Sequence, residues 1–142
     1  MRLHALGLLS VVVLTGCATE GPAPSVRIKA PQDDAVVLTT TITVELSAEN
    51  IDVVPADGAP TPGRVHHHVF FDTDLSPAGQ PIPAGAEGIF HLGTGDSTLI
   101  IQDLTPGRHR LISVLATGNH VPLIPWVVDT VYFTVDGRAE EN

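Results

Sequence analysis

The residues best equipped for chemistry lie in Val65-His66-His67-His68-Val69-Phe70-Phe71-Asp72-Thr73-Asp74. Neutral imidazole is a borderline ligand that suits zinc and copper, so a histidine triplet raises the question of a metal site. Apolar, β-branched and aromatic residues flank the triplet. Pro60-Thr61-Pro62-Gly63 and Ser76-Pro77-Ala78-Gly79 bound it, which predicts a strand. Successive strand side chains alternate between faces. Val65, His67, Val69 and Phe71 therefore share one largely apolar face, and His66, His68, Phe70 and Asp72 share the other. His66 and His68 become same-face neighbours roughly 7 Å apart, close enough to share one ion if further ligands arrive from elsewhere. His67, on the apolar face, reads as a buried neutral imidazole hydrogen-bonded to backbone.

Where further ligands come from depends on the strands around this one. Val26 to Ala30 alternates apolar and basic residues up to Pro31, and Gln32 to Ala35 turns the chain. Thr39 to Ala48 places Ile42, Val44, Leu46 and Ala48 on one face and Thr41, Thr43, Glu45 and Ser47 on the other, a half-buried antiparallel strand. Glu49 to Arg64 is a long connection into the histidine strand Val65–Asp72. Leu75 to Asp96 is a Pro/Gly-rich stretch of a length that is usually functional or hides an irregular strand, for which Ile89-Phe90-His91-Leu92 is the candidate. Thr98 to Leu104 is nearly continuous in apolar residues and is expected to be buried. Strands over His109–Ala116 and Val128–Val135 follow, joined by a loop over Thr117 to Pro125. No helical period is sustained beyond residue 17, so the pattern is all-β, a sandwich or barrel.

The segment Leu104-Thr105-Pro106-Gly107-Arg108-His109 decides between these. Immunoglobulin-like domains carry a Leu-x-Pro-Gly-x-Tyr corner whose Tyr hydroxyl bonds back to the backbone, and His109 stands at the Tyr position. The expected fold is an immunoglobulin-like antiparallel β-sandwich. In that topology the connections before the histidine strand, before Thr98 and after Ala116 cluster at one end. His66 and His68 open their strand at that end, His91 precedes Thr98, and His120 lies in the Thr117–Pro125 loop. His66, His68, His91 and His120 are thus the candidate metal ligands, for zinc or copper. Asp72 and Asp74 sit roughly 20 Å away at the far end of the strand, where they cap or shape the following turn.

The N-terminus supplies an address. Met1-Arg2-Leu3-His4 is basic, Ala5 to Leu14 is an apolar run too short to cross a bilayer, and Leu14-Thr15-Gly16-Cys17 resembles the lipobox of bacterial lipoproteins. Cys17, the one cysteine of the chain, is then the lipidated N-terminus of the exported protein, and no intramolecular disulfide is available. Ala18 at the next position favours the outer membrane by the sorting rule of Gram-negative lipoproteins. The expected organisation is a lipoprotein signal peptide over 1–16, a tether over 17–25, one sandwich domain over 26–136 and a tail over 137–142. Net charge is −9 with neutral histidines, and removing Arg2 with the signal makes it more acidic. Such a surface disfavours nucleic acid and anionic head groups and suits cation capture.

His66-His67-His68-x-x-x-Asp72-Thr73-Asp74-Leu75, Gln80-Pro81-Ile82-Pro83-Ala84, Phe90-His91-Leu92-Gly93-x-Gly95, Leu104-x-Pro106-Gly107-x-His109 and Asn119-His120-x-Pro122 together resemble the bacterial domain-of-unknown-function family 4399. The resemblance spans most of the mature chain and implies a small exported protein. It prescribes no reaction. Members carry further histidines around the last loop, where this chain has His120 alone among Thr117, Gly118 and Leu123.

No nucleophile lies in a G-x-S-x-G setting, and no Gly-rich stretch follows a strand and opens a helix. The first reading is therefore a non-enzymatic, lipid-anchored domain on the periplasmic face of the outer membrane that binds a transition metal, or an anionic small ligand, through its histidine cluster. A structural or protein-interaction module of the cell envelope is the alternative. A metal-dependent hydrolase, which would need a general base near the histidines, ranks third.

Overall fold

A computed structural model describes residues 21–83 and 85–137. Nine strands follow in order: β1 (Ser25–Ala30), β2 (Ala35–Val37), β3 (Ile42–Glu49), β4 (Asp52–Val53), β5 (Arg64–Phe71), β6 (Ile89–Leu92), β7 (Thr98–Ile101), β8 (Gly107–Thr117) and β9 (Val128–Val135). They form two sheets. One has the order β1-β3-β7; the other runs β2-β9-β8-β5-β4, with β6 also paired to β5. β4 pairs with Arg64 and Val65, while β6 pairs with His67 to Phe70, so the two short strands divide one edge of β5 between them. Pairing is antiparallel except for β2 on β9 and β4 on β5.

The alternation in β3 and β9 builds the space between the sheets. Ile42, Val44 and Leu46 face Val69, Leu111, Val131, Phe133 and Val135 in one buried cluster, as expected for strands with one wet face. β5 departs from that pattern, because Val65 through Phe70 are all buried. Its second face is covered. Phe70, Ile112, Val114 and Ala116 pack with Ile82, Leu75, Ile89 and Trp126 in a separate apolar cluster. Ile82 belongs to the Pro/Gly-rich stretch after β5 and is only 2% exposed. That stretch is a strap across the outer face of the larger sheet, and it turns a predicted polar surface into a second small core.

Other expectations need correction. Thr98 to Leu104 is not uniformly buried: the strand ends at Ile101, and Ile100, beside Thr43 on the outer face of the three-stranded sheet, is 59% exposed. Ile89–Leu92 is the strand expected there, and it pairs with β5. β2 and β4 were not anticipated; three- and two-residue strands are too short to show a period. Among the described residues no helix is long and apolar enough to cross a membrane. Cys17, His4, the first four residues of the expected tether and nearly all of the expected tail lie outside the described residues.

Candidate metal centre

Three elements bring four histidines to one place. Alternation along β5 puts His66 and His68 on the outer face. Their β8 partners are Ala116 and Val114, and His68 has His91 of β6 directly across its other side. His91 thus arrives by strand pairing, whereas the sequence places it in a connection. His120 follows β8 in a tight turn. Its own N–H donates to the Thr117 carbonyl at 2.7 Å, its φ is 67°, and its carbonyl accepts from the Ile82 N–H at 2.9 Å. The strap therefore holds the backbone of the fourth histidine. Gly93 makes room for the third, since a Cβ there would lie 2.2 Å from Cε1 of His91.

One ring nitrogen from each of His66, His68, His91 and His120 lies within 4.8 Å of all the others. Nε2 of His66 is 2.9 Å from Nε2 of His68 and 3.2 Å from Nδ1 of His120. Ring centroids of the six pairs are 4.6–5.6 Å apart. Tetrahedral zinc with bonds of 2.0–2.1 Å separates its ligand atoms by roughly 3.3 Å, so the spacing suits one ion. His66 and His68 are buried, His120 is half-buried, and His91 is exposed and opens the cluster to solvent.

Two imidazole nitrogens 2.9 Å apart are bridged either by the N–H of one neutral ring or, when both lone pairs face inward, by a metal cation. A second proton on these rings is disfavoured. Burial, followed by the neighbouring rings of His91, His120 and His67, pushes His66 down to about 4. Burial first, then His66, His91, His120 and His67, pushes His68 down to about 3. His91 is lowered in the same way, by burial and then His120. These rings stay neutral at ordinary pH, the form in which imidazole binds metal. His66, His68 and His91 can therefore take a metal ion without first giving up a second proton.

His67 faces inward and is buried, as expected, but neither of its ring nitrogens has a protein hydrogen-bond partner, so the expected backbone bond is not made. Ser113 Oγ on the same inner face of β8 also lacks one. His109 occupies the corner. Its Nε2 donates to the Thr105 carbonyl at 2.7 Å and its Nδ1 to Asp72 Oδ2 at 2.7 Å, between the rings of Phe71 and Phe133. Asp72 also accepts from the Arg110 N–H, and Asp74 pairs with Arg110. These carboxylates shape the turn after β5, at the end of the strand away from His66. Sequence reasoning missed Gly93 and Ile82; the only available signal was their position within Phe90-His91-Leu92-Gly93 and Gln80-Pro81-Ile82-Pro83.

Fold and site together define an all-β, immunoglobulin-like sandwich carrying a histidine cluster that could hold a metal ion. Residues 44–136 match the family described as Domain of unknown function (DUF4399), and the chain belongs to that family. Among solved structures, a fibronectin(III)-like module of Clostridium thermocellum CbhA aligns with 78% of this chain and 96% of its own, at 12% identity and a TM-score of 0.47. No curated protein matches the chain.

Proposed function

We propose that the protein is a non-catalytic, lipid-anchored domain of the bacterial cell envelope that binds one transition metal ion, zinc or copper, through His66, His68, His91 and His120. The observation that carries this reading is the convergence of four ring nitrogens from β5, β6 and the β8–β9 loop within 4.8 Å. The address rests on Leu14-Thr15-Gly16-Cys17. An ion that binds only the folded state stabilises it by mass action, by about 2.7 kcal/mol at a hundredfold excess over the dissociation constant. Elemental analysis of the purified protein, with melting curves with and without zinc or copper, tests the reading. One equivalent of metal and a raised Tm that His66→Ala, His68→Ala and His120→Ala each largely abolish is expected, with Asp72→Ala retaining the effect. A Tm indifferent to both metals at neutral pH removes the metal and leaves a structural or protein-interaction module.

A further inference from the structure

The donor set says something about the charge of the ion, given the metal reading above on which this inference rests. All four converging groups are imidazoles, with no Asp or Glu among them. The second ring nitrogens of the two buried ligands gain no negative partner either. A ligating imidazole commonly passes its second N–H to a carboxylate or carbonyl, which makes it a stronger donor. Nδ1 of His66 and Nδ1 of His68 are buried with no partner. Their neighbours across the sheet are Ala116 and Val114, and the face around them is the apolar cluster of Phe70, Ile82 and Ile112. This neutrality is local, because the chain as a whole carries −9.

Moving an ion from water into apolar surroundings costs free energy that rises with the square of its charge, about fourfold more for a dication than for a monocation. A carboxylate or thiolate at the site would offset that difference, and this site has neither. Imidazole nitrogen suits copper as well as zinc, and of the two only copper has a monovalent state. We propose that the His66/His68/His91/His120 pocket selects copper(I) over zinc(II) and copper(II), since it offers four nitrogen donors and no negative charge in an apolar sheet face.

The test is anaerobic competition on the purified full chain. Copper(I) is buffered by a chromophoric copper(I) chelator, zinc(II) by a zinc indicator, and silver(I) serves as a redox-inert monovalent probe. Copper(I) and silver(I) should bind one equivalent each and resist zinc(II) at equal free concentration. The potential of bound copper should lie above that of copper in excess imidazole. Replacing the exposed donor with a carboxylate, His91→Asp, should reverse the preference at least tenfold towards the dications. For the copper couple a tenfold change is about 59 mV, in the downward direction. Zinc(II) displacing copper(I), or a potential at or below the imidazole reference, overturns the charge selection and leaves the metal site standing. Binding of none of the three ions overturns the metal reading and this inference together.

Discussion

His109 shows how much one ring can organise. Both of its nitrogens face acceptors, the Asp72 carboxylate and the Thr105 carbonyl. Removing it empties the buried space between Phe71 and Phe133 and leaves the Thr105 carbonyl and Asp72 without this partner, which costs roughly 1–3 kcal/mol. His109→Ala should lower the Tm by several degrees in a thermal melt while metal content stays unchanged, because the corner lies at the other end of β5 from His66. Tyr at 109 can still reach the Thr105 carbonyl but cannot also bond Asp72, so His109→Tyr should fall between wild type and Ala. Gly93 works in the opposite way, contributing space alone. Gly93→Ala should push the His91 ring aside and weaken metal binding about as much as His91→Ala does, with little change in the Tm of the metal-free protein; calorimetric titration of both variants checks this.

The buried histidines also set an acid limit. Burial holds His67 down at about 4, as it does His66, and His68 lower still at about 3. In the unfolded chain each titrates near 6.5, so on acidification the unfolded state takes up protons first. Stability from these groups is complete above about pH 6.5 and is lost as pH falls towards about 4. The slope reaches roughly 1.4 kcal/mol per pH unit for each histidine. Denaturant melts of the metal-free protein between pH 7.5 and 4.5, with His67→Leu as the variant that flattens the slope, measure it. For the same reason, metal binding should persist well below the pH near 6.5 at which ordinary imidazoles protonate.

At the scale of elements, the strap between β5 and β6 joins fold to site. Ile82 fills the outer cluster with its side chain and holds the His120 carbonyl with its N–H. Ile82→Ala should cost about 2–5 kcal/mol as a buried large-to-small change. It should also loosen His120, so metal affinity falls although no ligand is altered. An affinity equal to wild type, measured where the variant is still folded, would show that the loop is positioned by β8 alone. β6 contributes through register: a one-residue slip on β5 would turn His91 away from His68 and bring Leu92 into its place.

For the molecule as a whole, the expected address rests on Cys17. Cys17→Ser should leave an unprocessed precursor in membrane fractions, detectable by its higher mass and by failure to incorporate labelled fatty acid. Normal cleavage and release of that variant would refute the lipid anchor. The two-sided burial of β5 matters at this scale too, because a chain without a disulfide must stabilise itself by packing. Here it packs one sheet on both faces.

The sequence by itself was enough for the class of fold, since alternation in Ile42–Ala48 and Val131–Val135 and the Leu104-x-Pro106-Gly107-x-His109 corner are local patterns with local physical causes. It also singled out His66, His68, His91 and His120, because strand period and sandwich topology place them at one end. Only tertiary structure could decide the burial of that end. Nothing in Val65–Asp72 says that His66 and His68 are buried; the strap covers that face from outside the strand, chiefly with Ile82 and Leu75. Nor could local pattern show that His91 sits across from His68. Pairing partners are a property of how strands meet in space, and a four-residue strand such as Ile89–Leu92 carries too little periodicity to announce its neighbour.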